Sequence, residues 1–309
     1  MNRTSKIYIA GHRGMVGQSL CRVLAKAGYT NQLYADHSVL DLTCQSSVLS
    51  FFERHRPSVV IVAAGRVGGI LANAIESAEF ITENLSIALN VIEAAFKTKV
   101  SKLLYLGSSC IYPRAAETPI PESALLTGPL EETNQWYAVA KIAGVKLCQA
   151  YRSRYGANYF SVMPCNLLGP HDGYDLKRSH VIPALLRKFH EAKRIQSNEV
   201  LCWGTGQSKR EFLYVDDLAR ACLILLENAI QSDIVNVGSG SETTIRDLAE
   251  LIKQTVDFRG NIVWDKTNPD GTHSKLLDSS RMQCLGWQPR VTLRQGIKIA
   301  YEDFLRRGL

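Results

Sequence analysis

The chain has 309 residues, 46% hydrophobic and 21% charged, which excludes a disordered or fibrous protein and suffices for a large buried core. The formal net charge of +7 suits an anionic ligand, but no basic run of five or more occurs. With no zinc-finger or basic-helix pattern either, nucleic acid is not an expected partner. No apolar stretch approaches the ~18 residues needed to span a bilayer.

The first half alternates strand and helix. Residues 6–10 form a short β-rich run ending in glycine. Residues 16–27 carry apolar side chains at helical spacing (Val16, Leu20, Val23, Leu24, Ala27), with Gly28 placed to end the helix. A second strand is expected at 32–35 and a helix at 46–56 stopped by Pro57. Residues 59–64 are continuously apolar, as in a parallel strand buried on both faces. Helix 82–97, strand 102–107, helix 135–155 and strand 158–163 follow. Such βα repeats predict a doubly wound parallel α/β sheet. Beyond it, 164–179 reads as a loop, 180–192 as a helix, 210–214 as a strand, and 216–228 as a helix. A strand at 234–237 and helices at 244–255 and 292–307 complete the chain, and the 234–237 strand is placed to return to the main sheet.

The eight cysteines, Cys21, Cys44, Cys110, Cys148, Cys165, Cys202, Cys222 and Cys284, include no C-x-x-C pair and no spacing suited to a metal cage. With no secretory leader before the first strand, they read as free thiols in the cytoplasm.

Gly11-His12-Arg13-Gly14-Met15-Val16-Gly17 joins the first strand to the first helix. Glycines there permit a tight turn and close approach of a ligand to the backbone. The helix N-terminus adds N–H donors and partial positive charge for a pyrophosphate, so a dinucleotide is expected in a Rossmann-type domain. Arg13 suits an adenosine 2′-phosphate, hence NADP. Asp36 argues the other way, since a carboxylate after the second strand favours a free 2′-hydroxyl; His37 serves either cofactor.

Ser108 or Ser109 closes the fourth strand, and spacing leaves open which of them faces a substrate. Tyr137 and Lys141 lie one turn apart on one helix face. A tyrosine beside an ammonium and a bound cofactor is expected to have a lowered pKa and to exchange protons with a substrate oxygen. A serine upstream, a Y-x-x-x-K pair and an N-terminal glycine loop together point to a carbonyl reductase.

These motifs resemble the extended short-chain dehydrogenases/reductases. The stretches GHRGMVG, VGGI, LGSSCIYP, AKIAG, GPHD, SHVIPALLRKFHEA, REFLYVDDLA, and NPDG followed by KLLD are similar to the GDP-L-fucose synthase family within that group. The resemblance implies NADPH-dependent 3,5-epimerisation and 4-reduction of GDP-4-keto-6-deoxy-D-mannose. In this reading Ser108 and Tyr137 act on the carbonyl, Lys141 supports Tyr137 and holds the cofactor ribose, Cys110 is the epimerisation base and His180 the acid. Cofactor contacts are implied for the glycine loop, Asp36, His37, Asp41, Leu106, Gly107, Ser108, Lys141, Pro164, Asn166, Leu167 and His180. Lys188, Trp203, Arg210 and Asp278 are implied for the GDP-sugar. A homodimer through a four-helix bundle of helices 82–97 and 135–155 is implied too. The expected organisation is an NADP-binding domain over 1–168, with returning segments near 210–238, and a smaller C-terminal α/β substrate domain over 169–309.

The sequence departs from the family pattern at Ala35-Asp36-His37, where arginine is common, and at Leu168, where tyrosine is usual. It also departs at Gln135-Trp136 and in the Asp172–Lys177 loop. These changes are expected near the substrate mouth, and a related GDP-4-keto sugar (a colitose or 6-deoxy-heptose precursor) is the main alternative. A redox-neutral NAD-dependent 4-epimerase is the other.

Overall fold

A computed structural model describes residues 1–176, 178–229, 231–267 and 272–308. The Asn268–Gly271 motif and Lys177 of the Asp172–Lys177 loop lie outside the described residues. In chain order the elements are β1 (Ile7–Ala10), α1 (Met15–Lys26), β2 (Gln32–Leu33), α2 (Gln45–His55), β3 (Val59–Val62), α3 (Ile70–Ile75), α4 (Ser77–Lys97) and β4 (Lys102–Leu106). There follow α5 (Gln135–Tyr155), β5 (Tyr159–Pro164), β6 (Asn166–Leu168), α6 (Val181–Arg194), β7 (Glu199–Trp203), β8 (Lys209–Tyr214) and α7 (Val215–Glu227). The chain closes with β9 (Ile234–Val237), β10 (Glu242–Thr244), α8 (Ile245–Val256), β11 (Asn261–Asp265), α9 (Ser280–Cys284) and α10 (Leu293–Arg306).

The main sheet is parallel throughout, in the order β2-β1-β3-β4-β5-β9. Every residue of β1, β3, β5 and β9 is buried, as required of strands covered on both faces. Helices α1 and α7 pack together, and α4 packs on both α2 and α5. The strand order reverses between β1 and β3, and in open α/β sheets ligands bind in the crevice at such a switch point.

Apolar side chains fall into two clusters. The first is built on the main sheet and takes in Leu213, Leu218, Leu225, Leu226 and Val237 as well as Leu277, Met282 and Trp287. The second joins α6, α8 and α10 through Leu186, Phe189, Ile252, Ile297 and Phe304. The chain passes between the clusters several times, so the first cluster draws residues from both sides of position 168.

Several expected elements are redrawn. The helix expected from Thr82 begins at Ser77, because Phe80 already belongs to its buried stripe, and α3 precedes it. The strands expected to reach Ala35 and Ala64 stop at Leu33 and Val62. The 164–179 loop contains β6, which pairs with β8. Strands β7, β10 and β11 were not anticipated. In β7 the burial alternates along Glu199–Trp203, a period-2 signal too short to stand out beside the helices.

Candidate active site

One cavity of about 1540 Å³ opens along the C-terminal ends of β1, β3, β4 and β5 and runs toward α6 and β7. At its first end lies the glycine loop. Gly11 has φ +83, and a Cβ there would lie 2.6 Å from Ala64 N. At Gly17 a Cβ would lie 2.1 Å from Gly11 O, so the turn closes only without side chains at both positions. Gly14, the N-cap of α1, provides no side-chain cap, which leaves first-turn N–H groups available to an anion. This uncapped cradle fits a dinucleotide pyrophosphate. His12, Arg13, Met15, Val16, Asp36, His37 and Asp41 also line this end.

Arg13 and Asp36 oppose each other in the sequence reading, and here they pair. Arg13 Nη1 lies 3.3 Å from Asp36 Oδ2, and His12 Nε2 lies 3.2 Å from Asp36 Oδ1. The carboxylate therefore sits between two nitrogens, with Oδ1 receiving no hydrogen bond. His12 stacks on Tyr34 with centroids 5.0 Å apart, which fixes its ring. Thr43 donates to Asp41 Oδ1 through its N–H (2.9 Å) and hydroxyl (2.7 Å), holding the Asp41 carboxyl below the usual range.

Midway along the cavity, Ser108, Tyr137 and Lys141 come together. Ser109 is buried, whereas Ser108 is half-buried and close to Tyr137, where its side chain opposes the rise in the phenol's pKa. Ser108 Oγ also accepts from Cys110 N at 3.2 Å, capping the short 3-10 turn that carries Cys110. Lys141 Nζ donates to Leu106 O at 2.8 Å and lies 5.7 Å from the Tyr137 ring centroid. Burial lowers the Lys141 ammonium to about 8. The Tyr137 phenol departs from the expectation of a lowered pKa. Burial pushes it up, Cys110 adds to the rise, and only the Ser108 side chain opposes it. The lysine is engaged with a backbone carbonyl rather than with the phenol oxygen, so it does not draw the proton away.

Cys110 and His180 both face this part of the cavity. Asn134 Nδ2 donates to Cys110 Sγ at 3.3 Å, a contact no motif announced. His180 is the N-cap of α6, but its side chain makes no cap hydrogen bond, which leaves the ring to the cavity. The His180 side chain is exposed within the open cavity, and desolvation by the surrounding walls lowers its pKa. Leu106, Gly107, Pro164, Asn166 and Leu167 complete the floor, with Asn166 Nδ2 bonded to Glu211 O at 3.0 Å.

The far end holds Lys188, Trp203 and Arg210. Lys188 Nζ donates to Leu201 O at 3.1 Å and lies 5.2 Å from the Trp203 ring centroid. Trp203 is 52% exposed, which leaves part of its indole open to the cavity. Arg210 Nη1 donates to Thr272 O at 2.6 Å.

Asp278 is the one expected site residue outside the cavity lining. Its Oδ1 accepts from Ser280 N at 2.9 Å, a local turn contact, and Lys275 of the same KLLD stretch lines the cavity instead. Two departures from the family pattern also lie elsewhere than expected. Leu168 is buried in the second apolar cluster, and Trp136 is half-exposed outside the cavity. Among the described residues of the divergent loop, Asp172, Gly173 and Leu176 reach the lining.

The profile of the NAD dependent epimerase/dehydratase family matches residues 7–238. GDP-L-fucose synthase 1 of Arabidopsis thaliana is 54% identical over 305 residues, covering 99% of this chain and 94% of that protein. GDP-L-fucose synthase of Escherichia coli K12 is 46% identical over 309 residues, covering 97% and 96%. Among solved structures, a GDP-mannoheptose C4 reductase from Campylobacter jejuni with NADP bound superposes with a TM-score of 0.88 at 34% identity, covering 99% of each chain. The chain belongs to the NAD dependent epimerase/dehydratase family, in its GDP-L-fucose synthase branch.

Proposed function

We propose that this chain converts GDP-4-keto-6-deoxy-D-mannose to GDP-L-fucose by inverting C3 and C5 and reducing C4 with NADPH. The observation that carries the reading is one cavity holding the Ser108–Tyr137–Lys141 group, Cys110 and His180 between a pyrophosphate cradle and a cationic end. When bound, NADPH supplies the hydride for C4. The glycine loop, Arg13, His12, Lys141 and the β5–β6 floor are the residues that would hold it.

The C4 ketone acidifies the protons on C3 and C5. Cys110 takes them from one side, with the Asn134 N–H offsetting charge as it develops on sulfur. Ser108 and Tyr137 donate to O4 and stabilise the enolate oxygen. His180 returns a proton from the opposite side, which inverts the carbon. For the reduction, O4 gains a proton as C4 becomes an alcohol. A phenol whose pKa is held high remains protonated until an alkoxide forms beside it, and Tyr137 is in that state. Lys188, Arg210 and Lys275 supply positive charge for the diphosphate of the substrate.

The test is selective loss. Cys110→Ser should slow deuterium uptake at C3 and C5 in D2O far more than hydride transfer to a ketone already inverted at both carbons. Equal losses in both steps would remove Cys110 from the chemistry. Asp172 and Leu176, in the divergent loop, support a second reading in which the ring substituents differ and a related GDP-4-keto sugar is preferred. Comparative kcat/KM on the two ketones separates them.

The chain is proposed to act as a homodimer through α4 and α5, on which Leu89, Val139 and Tyr155 stand exposed. A cytoplasmic location is proposed, consistent with eight unpaired cysteines. No helix among the described residues is long and apolar enough to cross a membrane.

A further inference from the structure

Two segments of the cavity wall share one carboxylate. Glu76, at the junction of α3 and α4, accepts from Arg66 Nη2 at 2.6 Å and Nε at 3.2 Å, and from Arg178 Nη2 at 2.8 Å. Arg66 also donates to Glu83 Oε1 at 2.6 Å through Nη1. Two guanidiniums and two carboxylates thus form a charge-balanced network, more rigid than an isolated surface pair. Arg66 and Glu83 line the cavity, and Arg178 stands two residues before His180.

The backbone repeats the link. Gly69 N donates to Arg178 O at 2.8 Å. A Cβ on Gly69 would lie 2.5 Å from Ser179 O, so the two segments can approach this closely only with glycine there. Asn73, 3% exposed, fixes the other side of the turn by donating to Gly68 O at 2.9 Å and Gly69 O at 3.1 Å. His180 follows directly and has no side-chain cap bond of its own. What sets its ring over the cavity is the path of the backbone at 178–180, and that path is tied to Arg66–Asn73 by Glu76 and Gly69.

We propose that Glu76, acting through Arg178, is a positioning residue for His180 and sets the efficiency of inversion at C3 and C5 separately from reduction at C4. This rests on His180 being the proton donor of the proposed function. Neither Glu76 nor Arg178 lines the cavity, and neither is assigned to binding or to the reacting atoms.

Two rates are measured on each variant of the full chain: deuterium uptake accompanied by inversion at C3 and C5 of the GDP-linked 4-ketone in D2O, counting only the epimerised sugar, and NADPH oxidation with a ketone already inverted at both carbons. Arg178→Gln is expected to lower the uptake-to-reduction ratio on the order of tenfold, since small misplacements of an acid are costly. The melting temperature and the KM for NADPH should stay at wild-type values. Glu76→Gln should lower the ratio similarly, and Glu76→Asp should recover part of it. An unchanged ratio in Arg178→Gln, or a parallel fall of both rates with the melting temperature, overturns the proposal. His180→Asn is measured alongside. If it leaves uptake intact, the acid assignment itself is wrong and the proposal falls with it. If it abolishes uptake while Arg178→Gln does nothing, the assignment stands and only the positioning role is lost.

Discussion

At Lys141 the fold keeps an ammonium almost out of reach of solvent, with the Leu106 backbone carbonyl accepting its hydrogen bond. Burial lowers its pKa from 10.5 to about 8, a penalty of roughly 3 kcal/mol by linkage. Because the folded value lies below the unfolded one, the penalty is full below about pH 8 and fades as pH rises toward 10.5. Lys141→Met removes it at the cost of one hydrogen bond, so the variant should be more stable by ~1–2 kcal/mol at pH 7 while losing reduction. Calorimetry checks this, and a destabilised variant would mean the ammonium is better solvated than it stands here. His180 gives a second prediction. Desolvation by the cavity walls lowers its pKa, so the protonated imidazole grows scarcer as pH rises through the neutral range. Deuterium uptake with inversion at C3 and C5, relative to reduction of the inverted ketone, should decline from pH 6 to pH 8, and His180→Asn should flatten that profile. The residue types at these positions were legible in the sequence, but their states were not. The raised phenol of Tyr137 follows from burial and from Lys141 choosing Leu106 O, neither of which a Y-x-x-x-K spacing contains.

Among the elements, the β1–α1 turn carries the most information in the fewest residues. Three glycines at fixed offsets predicted the cradle, and two of them are demanded by backbone contacts under 3 Å. Gly17→Ala would press a methyl into Gly11 O and should cost ~1–3 kcal/mol of stability along with measurable NADPH binding. Titration of the variant with NADPH, read by fluorescence, checks it; near-normal affinity would mean the turn can open. The neighbouring Arg13–Asp36 pair makes cofactor choice a matter of charge. Asp36→Asn releases Arg13 and removes a carboxylate that repels a 2′-phosphate, so the ratio of kcat/KM for NADPH over NADH should rise several-fold. A falling ratio would show that Asp36 orients Arg13 rather than occupying it. Elements held by long-range pairing were read less well. Strands β7 and β11 pair with each other across about 60 residues of sequence, and their short alternations are indistinguishable locally from loop. Asn134 and Lys275 reach the cavity from the 3-10 turn before α5 and from the stretch between β11 and α9, where no periodicity points to them. Asp278 was placed in the site by its motif, yet its carboxylate is taken up by the Ser280 N–H.

Taken whole, the molecule sets a cofactor cradle on one apolar cluster and a cationic end on another, with the reacting groups between them. Ligands spanning that cavity bridge the clusters. Saturation with NADPH at 100 times its Kd should stabilise the chain by ~2.7 kcal/mol, and the GDP-sugar should add to it. The central claim is that one cavity performs both proton transfer at carbon and reduction at C4. Its most direct measurement is the product formed by the wild-type protein from GDP-4-keto-6-deoxy-D-mannose and NADPH in D2O. The account predicts GDP-L-fucose with deuterium at C3 and C5 and one NADPH oxidised per sugar. A reduced sugar without deuterium at either carbon, or no NADPH oxidation at all, would contradict it.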